Sequence, residues 1–170
     1  RFKKTMTNVY PDVENIQLGD EQYKMDDWLQ LLGMFIADGW SDKTNKRIFI
    51  TAIKERKIAF INNFLEKLSA QHTYHKDGNY YISGCKYPGI YDALSVLSVG
   101  ALNKYLPEYV WNLSQRQSRI LLEALLQGDG SSMVYKDESF DRYGTISMQL
   151  ANDITRLALH CGYSGIIKIA

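Results

Sequence analysis

Residues 31–40 read LLGMFIADGW: an apolar run, then a carboxylate and a glycine. The run suits a buried helix, yet Asp38 stands at its C-terminal end. Helix carbonyls concentrate partial negative charge there, so an aspartate is unfavourable. Either Asp38 faces solvent, where the cost is small, or a cation meets it. The pattern returns at residues 122–131, LEALLQGDGS, where Asp129 follows a second apolar run and precedes Gly130. Counting back from each aspartate finds small residues at matched places, Gly33 and Ala37 before Asp38, Ala124 and Gly128 before Asp129. Small residues one helical turn apart line one face and permit close backbone approach. The two helices are therefore expected to pack together with Asp38 and Asp129 side by side at one end.

Outward from these segments the order of elements repeats. Residues 1–25 show weak periodicity and read as an irregular arm. A helix is predicted from Asp26 to Asp38, with Asp26 or Asp27 as N-cap. GWSDKTNKRIFIT reads as two strands around an Asp42–Asn45 turn. KERKIAFINNFLEKLSAQ has helical apolar spacing at Ile58, Ile61, Phe64, Leu65 and Leu68. HTYHKDGNYYIS reads as a hairpin on a type I′ Asp77-Gly78 turn, and YPGIYDALSVLS as a further helix. After the link NKYLPEYVWNL, Ser114 and Gln117 form a capping-box pattern, and a helix runs to Asp129. Then come a strand at SSMVY, a turn at KDESFDRYG, a strand at TISMQL, a helix at ANDITRLALHCG and a strand at GIIKIA. This is a tandem α+β duplication with an incomplete second copy: an arm at 1–25, a first repeat with its linker at 26–113 and a second repeat at 114–170.

The chain has 170 residues, enough for one well-buried core. A net charge of +1 gives no global field to attract nucleic acid. The charge is uneven, however: residues 43–57 carry Lys43, Lys46, Arg47, Lys54, Arg56 and Lys57 against the single acid Glu55. Cys85 and Cys161 lack a CxxC partner and read as reduced thiols, which points to an intracellular, reducing compartment. No apolar run reaches transmembrane length, so no membrane partner is expected. His72 and His75 would point to opposite faces of a strand, which argues against zinc. His160 and Cys161 read as core. Trp28, Trp40 and Trp111 read as packing residues rather than as platforms for bases.

Two helices ending in x-D-G, LLGMFIADG and LEALLQGDG, each leading into strands, resemble the LAGLIDADG homing endonucleases. The link LNKYLPEYVWNLSQRQSRILLEALLQGDG and the stretch TISMQLANDITRLALHCGYSG resemble the intein-borne branch of that family, and the resemblance covers residues 26–170. It implies a saddle of αββαββα repeats about a pseudo-twofold axis, with the motif helices at the interface and strands facing DNA. It implies that Asp38 and Asp129 bind divalent metal (Mg²⁺) at the scissile phosphates, with help from the carbonyls of Ala37 and Gly128. Lys104, in KYLP, matches a K-x-x-P lysine near the active site. The second copy's counterpart would lie beyond Ala170. With no nucleophile at position 1 and no terminal His-Asn, the expectation is an intein's endonuclease part rather than a splicing unit.

Metal-dependent phosphodiester hydrolysis suits this residue set. Mg²⁺ takes hard oxygen ligands and usually one or two carboxylates, leaving places for phosphate and water. Without metal, two adjacent carboxylates repel and one pKa rises. On the implied saddle, strand alternation turns Ile48 and Ile50 inward and Arg47, Phe49 and Thr51 outward. Asn79, Tyr81 and Ser83 likewise oppose Tyr80 and Ile82. Lys46 and Lys76 near strand ends are expected on phosphates, and Thr145, Ser147, Gln149 and Lys168 are the second copy's DNA contacts. The expected activity is site-specific, Mg²⁺-dependent cleavage of double-stranded DNA by a monomer acting as a pseudo-dimer, with a second polypeptide as a candidate for completing the C-terminal repeat. The alternatives are a non-cleaving DNA or RNA binder of the maturase kind, or a degenerate remnant of the fold.

Overall fold

The computed structural model describes residues 10–135 and 138–169. A hairpin of β1 (Asn15–Leu18) and β2 (Glu21–Lys24) leads directly into helix α1 (Met25–Asp38). Next come β3 (Gly39–Asp42), β4 (Arg47–Thr51), α2 (Glu55–Lys67), β5 (His72–Tyr74), β6 (Asn79–Ser83) and α3 (Pro88–Ser95). A linker with short 3₁₀ turns at Ala101–Asn103 and Glu108–Asn112 reaches α4 (Gln115–Asp129). The second unit continues with β7 (Gly130–Tyr135), β8 (Glu138–Tyr143) and α5 (Met148–His160). Helix–strand–strand–helix thus occurs twice in the same order, as the duplicated sequence pattern predicts.

In the first unit the strands form an antiparallel sheet in the order β3-β4-β6-β5. Ile48, Ile50, Tyr80 and Ile82 are buried on one face against the helices. Arg47, Phe49, Thr51, Asn79, Tyr81 and Ser83 occupy the opposite face, as alternation requires. The Asp42 turn also forms as read, with Asp42 Oδ1 accepting hydrogen bonds from the backbone N–H of Thr44 and Asn45.

Helices α1 and α4 lie along each other with almost no side chain between them. A Cβ placed on Gly33 would sit 2.6 Å from Cβ of Ala124, and one on Gly128 would sit 2.3 Å from Cβ of Ala37. Equivalent positions of the two motifs meet each other, which is the signature of a twofold relation running through the interface. The glycine after each aspartate has a related reason. A Cβ on Gly39 would strike Phe35, and one on Gly130 would lie 2.3 Å from the carbonyl oxygen of Leu126. Both helices therefore turn straight into strands, and both close with the glycine N–H donating to the residue four earlier, Phe35 and Leu126.

The opposite end of the helix pair is tied by polar groups. Ser114 caps α4 by accepting from the Gln117 N–H. The Gln117 side chain does not return to Ser114 as a full capping box would. It holds the backbone N–H and carbonyl of Val13 and donates to Asp26. Arg116 bridges Asp12 and Asp26 at 2.6 Å each. These ion pairs are half exposed and weak individually, but together they fix how far α1 slides along α4.

Several sequence expectations need correction. The arm at 1–25 is not irregular over 15–24, where Gly19, at φ +61°, makes a two-residue hairpin loop with Asp20. Its strands are too short for alternation to show; residues 1–9 lie outside the described residues. Helix α1 begins at Met25 after Lys24, so Asp26 and Asp27 are first-turn residues, not caps. The Asp77-Gly78 turn is not type I′, because only Gly78, at φ +85°, is left-handed. Gly78 N–H donates to His75 and His75 N–H to Asn79, a longer loop closed by a bulge. TISMQL is not a strand. Ser147 caps α5 by accepting from Leu150 N–H, and Met148, Gln149 and Leu150 have the straight side chains that helices tolerate. KDESFDRYG is mostly strand β8 rather than turn; its first residues, 136–137, lie outside the described residues. GIIKIA forms no strand over residues 165–169, leaving Lys168 exposed in an irregular stretch after α5.

The helix contact sets an expectation for stability. Gly33→Ala or Gly128→Ala places a methyl inside normal contact distance of another backbone-bound carbon. Each is expected to cost about 1–3 kcal/mol, read as a lower denaturant midpoint at unchanged slope. Parent-like midpoints for both variants would remove the close-packed pair.

Candidate functional site

The twofold contact delivers Asp38 and Asp129 to one place. The Asp38 carboxylate oxygen lies 3.6 Å from where a Cβ of Gly128 would be, against the residue that precedes Asp129. The charge left unexplained by the sequence is met by cations from other elements. Lys57 Nζ, near the start of α2, pairs with Asp38 Oδ2, and both side chains are largely buried. Lys104 Nζ, from the linker, donates to the carbonyl of Ala37, one of the helix-end acceptors without a helical partner. Each lysine also opposes the negative end of a helix dipole. Arg56 adds a hydrogen bond to the Gly130 carbonyl at 3.2 Å.

Lys57 is the residue that sequence reading missed. It falls in the basic run at 43–57, where charge spacing gives no sign that it alone turns inward. The available signal is its place on the buried side of α2 with Ile61 and Phe64, a turn and two turns on.

Lys104 is held in place by the second repeat. Ser147 Oγ donates to the Lys104 carbonyl at 2.7 Å, and Asp153 Oδ2 accepts from the Leu106 N–H at 2.9 Å. Ser147 is fully buried, so its expected place among the DNA contacts is corrected: it caps α5 and anchors the linker. Thr145 and Gln149 lie on no strand. Thr145 Oγ1 accepts from the Ser147 N–H, and Gln149, on α5, donates to Asp153.

The electrostatics reflect crowding. Burial, then the like charge of Asp38, pushes the Asp129 carboxyl above its ordinary value of 3.8, against the opposing pull of Lys104, Lys57 and Lys54. Asp129 itself is exposed, so solvent screens part of this effect. Nearby, the Tyr143 hydroxyl is buried without a hydrogen-bond partner among the described residues. Burial and the charges of Asp129 and Asp38 push its pKa well up, so it stays protonated.

The open sheet face carries Lys46 and Arg47 at one end and Thr51, hydrogen-bonded to Asn79 at 2.8 Å, at the other. Lys76 is exposed in the β5–β6 loop. Trp28 and Trp111 are buried as expected. Trp40 is not: it is 44% exposed on this face.

No family model matches the chain. Among solved structures, the N-terminal LAGLIDADG domain of DUF199/WhiA superposes over 99% of this chain and 81% of that one, with a TM-score of 0.51 and 14% identity. The chain has a LAGLIDADG fold. That likeness establishes architecture. Sequence relatives are of another kind. The chain matches the ATP-dependent Clp protease proteolytic subunit of Chlamydomonas moewusii at 32% identity over an alignment of 160 positions, covering 87% of this chain and 15% of that protein. A C-terminal section of the DNA-directed RNA polymerase subunit beta of Stigeoclonium helveticum matches at 28% over 96% of this chain and 19% of its own length. A DNA gyrase polypeptide of Mycobacterium kansasii matches at 26% over 78% of this chain and 26% of its own length. The chain thus spans about a quarter or less of the length of each of these curated relatives.

The raised carboxyl has a pH consequence. An acid whose folded-state pKa lies above its unfolded value weakens the fold once it ionises. Asp129→Asn is therefore expected to be more stable than the parent at pH 7. The difference should shrink as pH falls through the raised pKa and vanish below the ordinary value of 3.8. Denaturation of both proteins between pH 3 and 7, in chelator, reads this directly; a pH-independent difference would contradict the assignment.

Proposed function

We propose that the chain is the endonuclease part of an inserted element, of intein type, and that it makes metal-dependent double-strand breaks in DNA. The observation that carries the reading is the convergence of Asp38 and Asp129 at the ends of two touching helices, with Lys57 and Lys104 beside them. A structural role alone has no use for two aspartates at the negative ends of two helices. Three relatives with unrelated names, each matched over a small fraction of its length, support the idea of a segment carried within different hosts.

The donor set fits Mg²⁺. Asp38 and Asp129 would hold it with the Gly128 carbonyl, and the nearby Tyr143 hydroxyl, buried without a hydrogen-bond partner among the described residues, would donate to a group bound there. Ala37 would join only if Lys104 released its carbonyl. When bound, the ion supplies phosphate charge neutralisation and an activated water. The protein's own residues do the rest. Lys57 pairs with Asp38 and fixes its direction. Lys104, pinned from behind by Ser147 and Asp153, is positioned to meet phosphate charge. Lys46, Arg47, Lys76 and Lys168 offer phosphate contacts, and Thr51, Asn79, Tyr81, Thr145 and Gln149 offer side chains to the bases and backbone of the DNA.

A second reading, a non-cleaving binder, is favoured by one observation: Lys57 and Lys104 already satisfy Asp38 and the Ala37 carbonyl without metal. The two readings separate in one experiment. Linear DNA carrying the joined flanks of the coding segment is incubated with the protein and Mg²⁺. Cleavage is expected in the parent, with loss of at least a hundredfold in Asp38→Asn and in Asp129→Asn and binding largely kept, because phosphate contacts lie elsewhere. Binding without cleavage in the parent selects the binder.

The local basic surface gives a further expectation. Lys46→Ala, Arg47→Ala and Lys76→Ala combined should flatten the log–log salt dependence of DNA affinity by roughly two to three units. An unchanged slope would place the DNA on another face.

A further inference from the structure

The duplication allows each residue at the site to be compared with its counterpart in the other unit. The hairpins that follow the two aspartates share one register: Gly39, after Asp38, faces Ile50, and Gly130, after Asp129, faces Tyr143. The helices that follow the hairpins correspond too, Lys57 being the third residue of α2 and Leu150 the third of α5. Ile50 and Leu150 are completely buried, the ordinary state of inward positions on a strand or a helix. At these two positions one unit carries a polar group where the other keeps an apolar one. In the first unit the polar group is Lys57, which pairs with Asp38. In the second unit it is Tyr143, and at the position of Lys57 helix α5 offers Asp129 only Leu150.

Packing does not account for the hydroxyl. The Tyr143 ring packs against the core, and its strand end is fastened beside the site, where the Gly144 N–H donates to the Asp129 carbonyl at 3.5 Å. Phenylalanine would fill the same space without desolvating a donor. The hydroxyl is buried with no partner among the described residues, and the charges acting on it are those of Asp129 and Asp38, which keep it protonated. It is a donor whose acceptor arrives with a bound group. We propose that Tyr143 is the second unit's own contribution to binding, its hydroxyl donating to an oxygen, of water or of phosphate, held at Asp129 together with the divalent ion. This rests on the metal-dependent reading of the same site and makes its halves chemically unlike: a cation orients Asp38 itself, and a neutral donor orients what Asp129 holds.

Tyr143→Phe removes the donor and keeps the ring. The full chain and this variant are compared in three measurements: denaturant unfolding in chelator, calorimetric titration with Mg²⁺ alone, and the Mg²⁺ concentration that gives half-maximal cleavage of the duplex made from the joined flanks. In chelator the variant is expected to be at least as stable as the parent, since it no longer desolvates an unpartnered hydroxyl. Its Mg²⁺ response should weaken about tenfold, the size of one hydrogen bond to a charged or metal-polarised acceptor. A loss with Mg²⁺ alone identifies a coordinated water as the acceptor; a loss seen only with the duplex identifies a phosphate oxygen. Lower stability of the variant in chelator means that the hydroxyl already has a partner within the protein, and overturns the proposal. An unchanged Mg²⁺ response in every measurement that the parent gives also overturns it, while leaving the metal reading intact. A parent with no Mg²⁺ response in either measurement removes that reading and the proposal with it.

Discussion

The contact of α1 with α4 through Gly33, Ala37, Ala124 and Gly128 is the constraint from which the rest follows. Two helices that touch backbone to backbone leave no room for a spacer, so whatever stands at their ends is brought together regardless of charge. Here those residues are aspartates at the negative ends of two dipoles. The fold tolerates this because α2 and the linker bring lysines to the same place. The polar cluster of Asp12, Asp26, Arg116 and Gln117 at the far end stops one helix from sliding and so keeps the aspartates level.

The two units are interdependent at the site. The first supplies Asp38 and Lys57, the second Asp129. Lys104 belongs to neither repeat, and it is the second unit's α5, through Ser147 and Asp153, that holds its backbone. Pairing Lys57 with Asp38 solves a folding problem and creates a functional tension, since a divalent ion would enter a carboxylate already neutralised. Asp129, which has no ion-pair partner among the described residues, carries the raised pKa, as expected when desolvation and like charge are only partly offset.

Much of this was legible in the chain. The small residues before each aspartate and the glycine after it are consequences of close approach, which no other side chain permits, so they stand in the sequence at fixed spacing. The sheet faces follow from alternation, and Phe49, awkward on a polar saddle, proves to belong to an aromatic row with Trp40 and Tyr81. What failed did so where local pattern has two outcomes. TISMQL is equally consistent with a strand and with a capped helix start, and only packing of α5 against the linker selects the cap. The 15–24 hairpin lies in strands of four residues, too short for a period to register.

By itself, then, the sequence determined the duplication, the helix pair and the meeting of Asp38 with Asp129, because backbone proximity restricts residue type at every turn of the interface. Only the tertiary structure decided which cations answer them. Lys57 is one of six basic residues in its stretch, and a lysine's long, flexible stem lets it reach solvent or a buried carboxylate from the same backbone position. Its choice depends on where α2 lands on α1, and that distance is written in no local pattern.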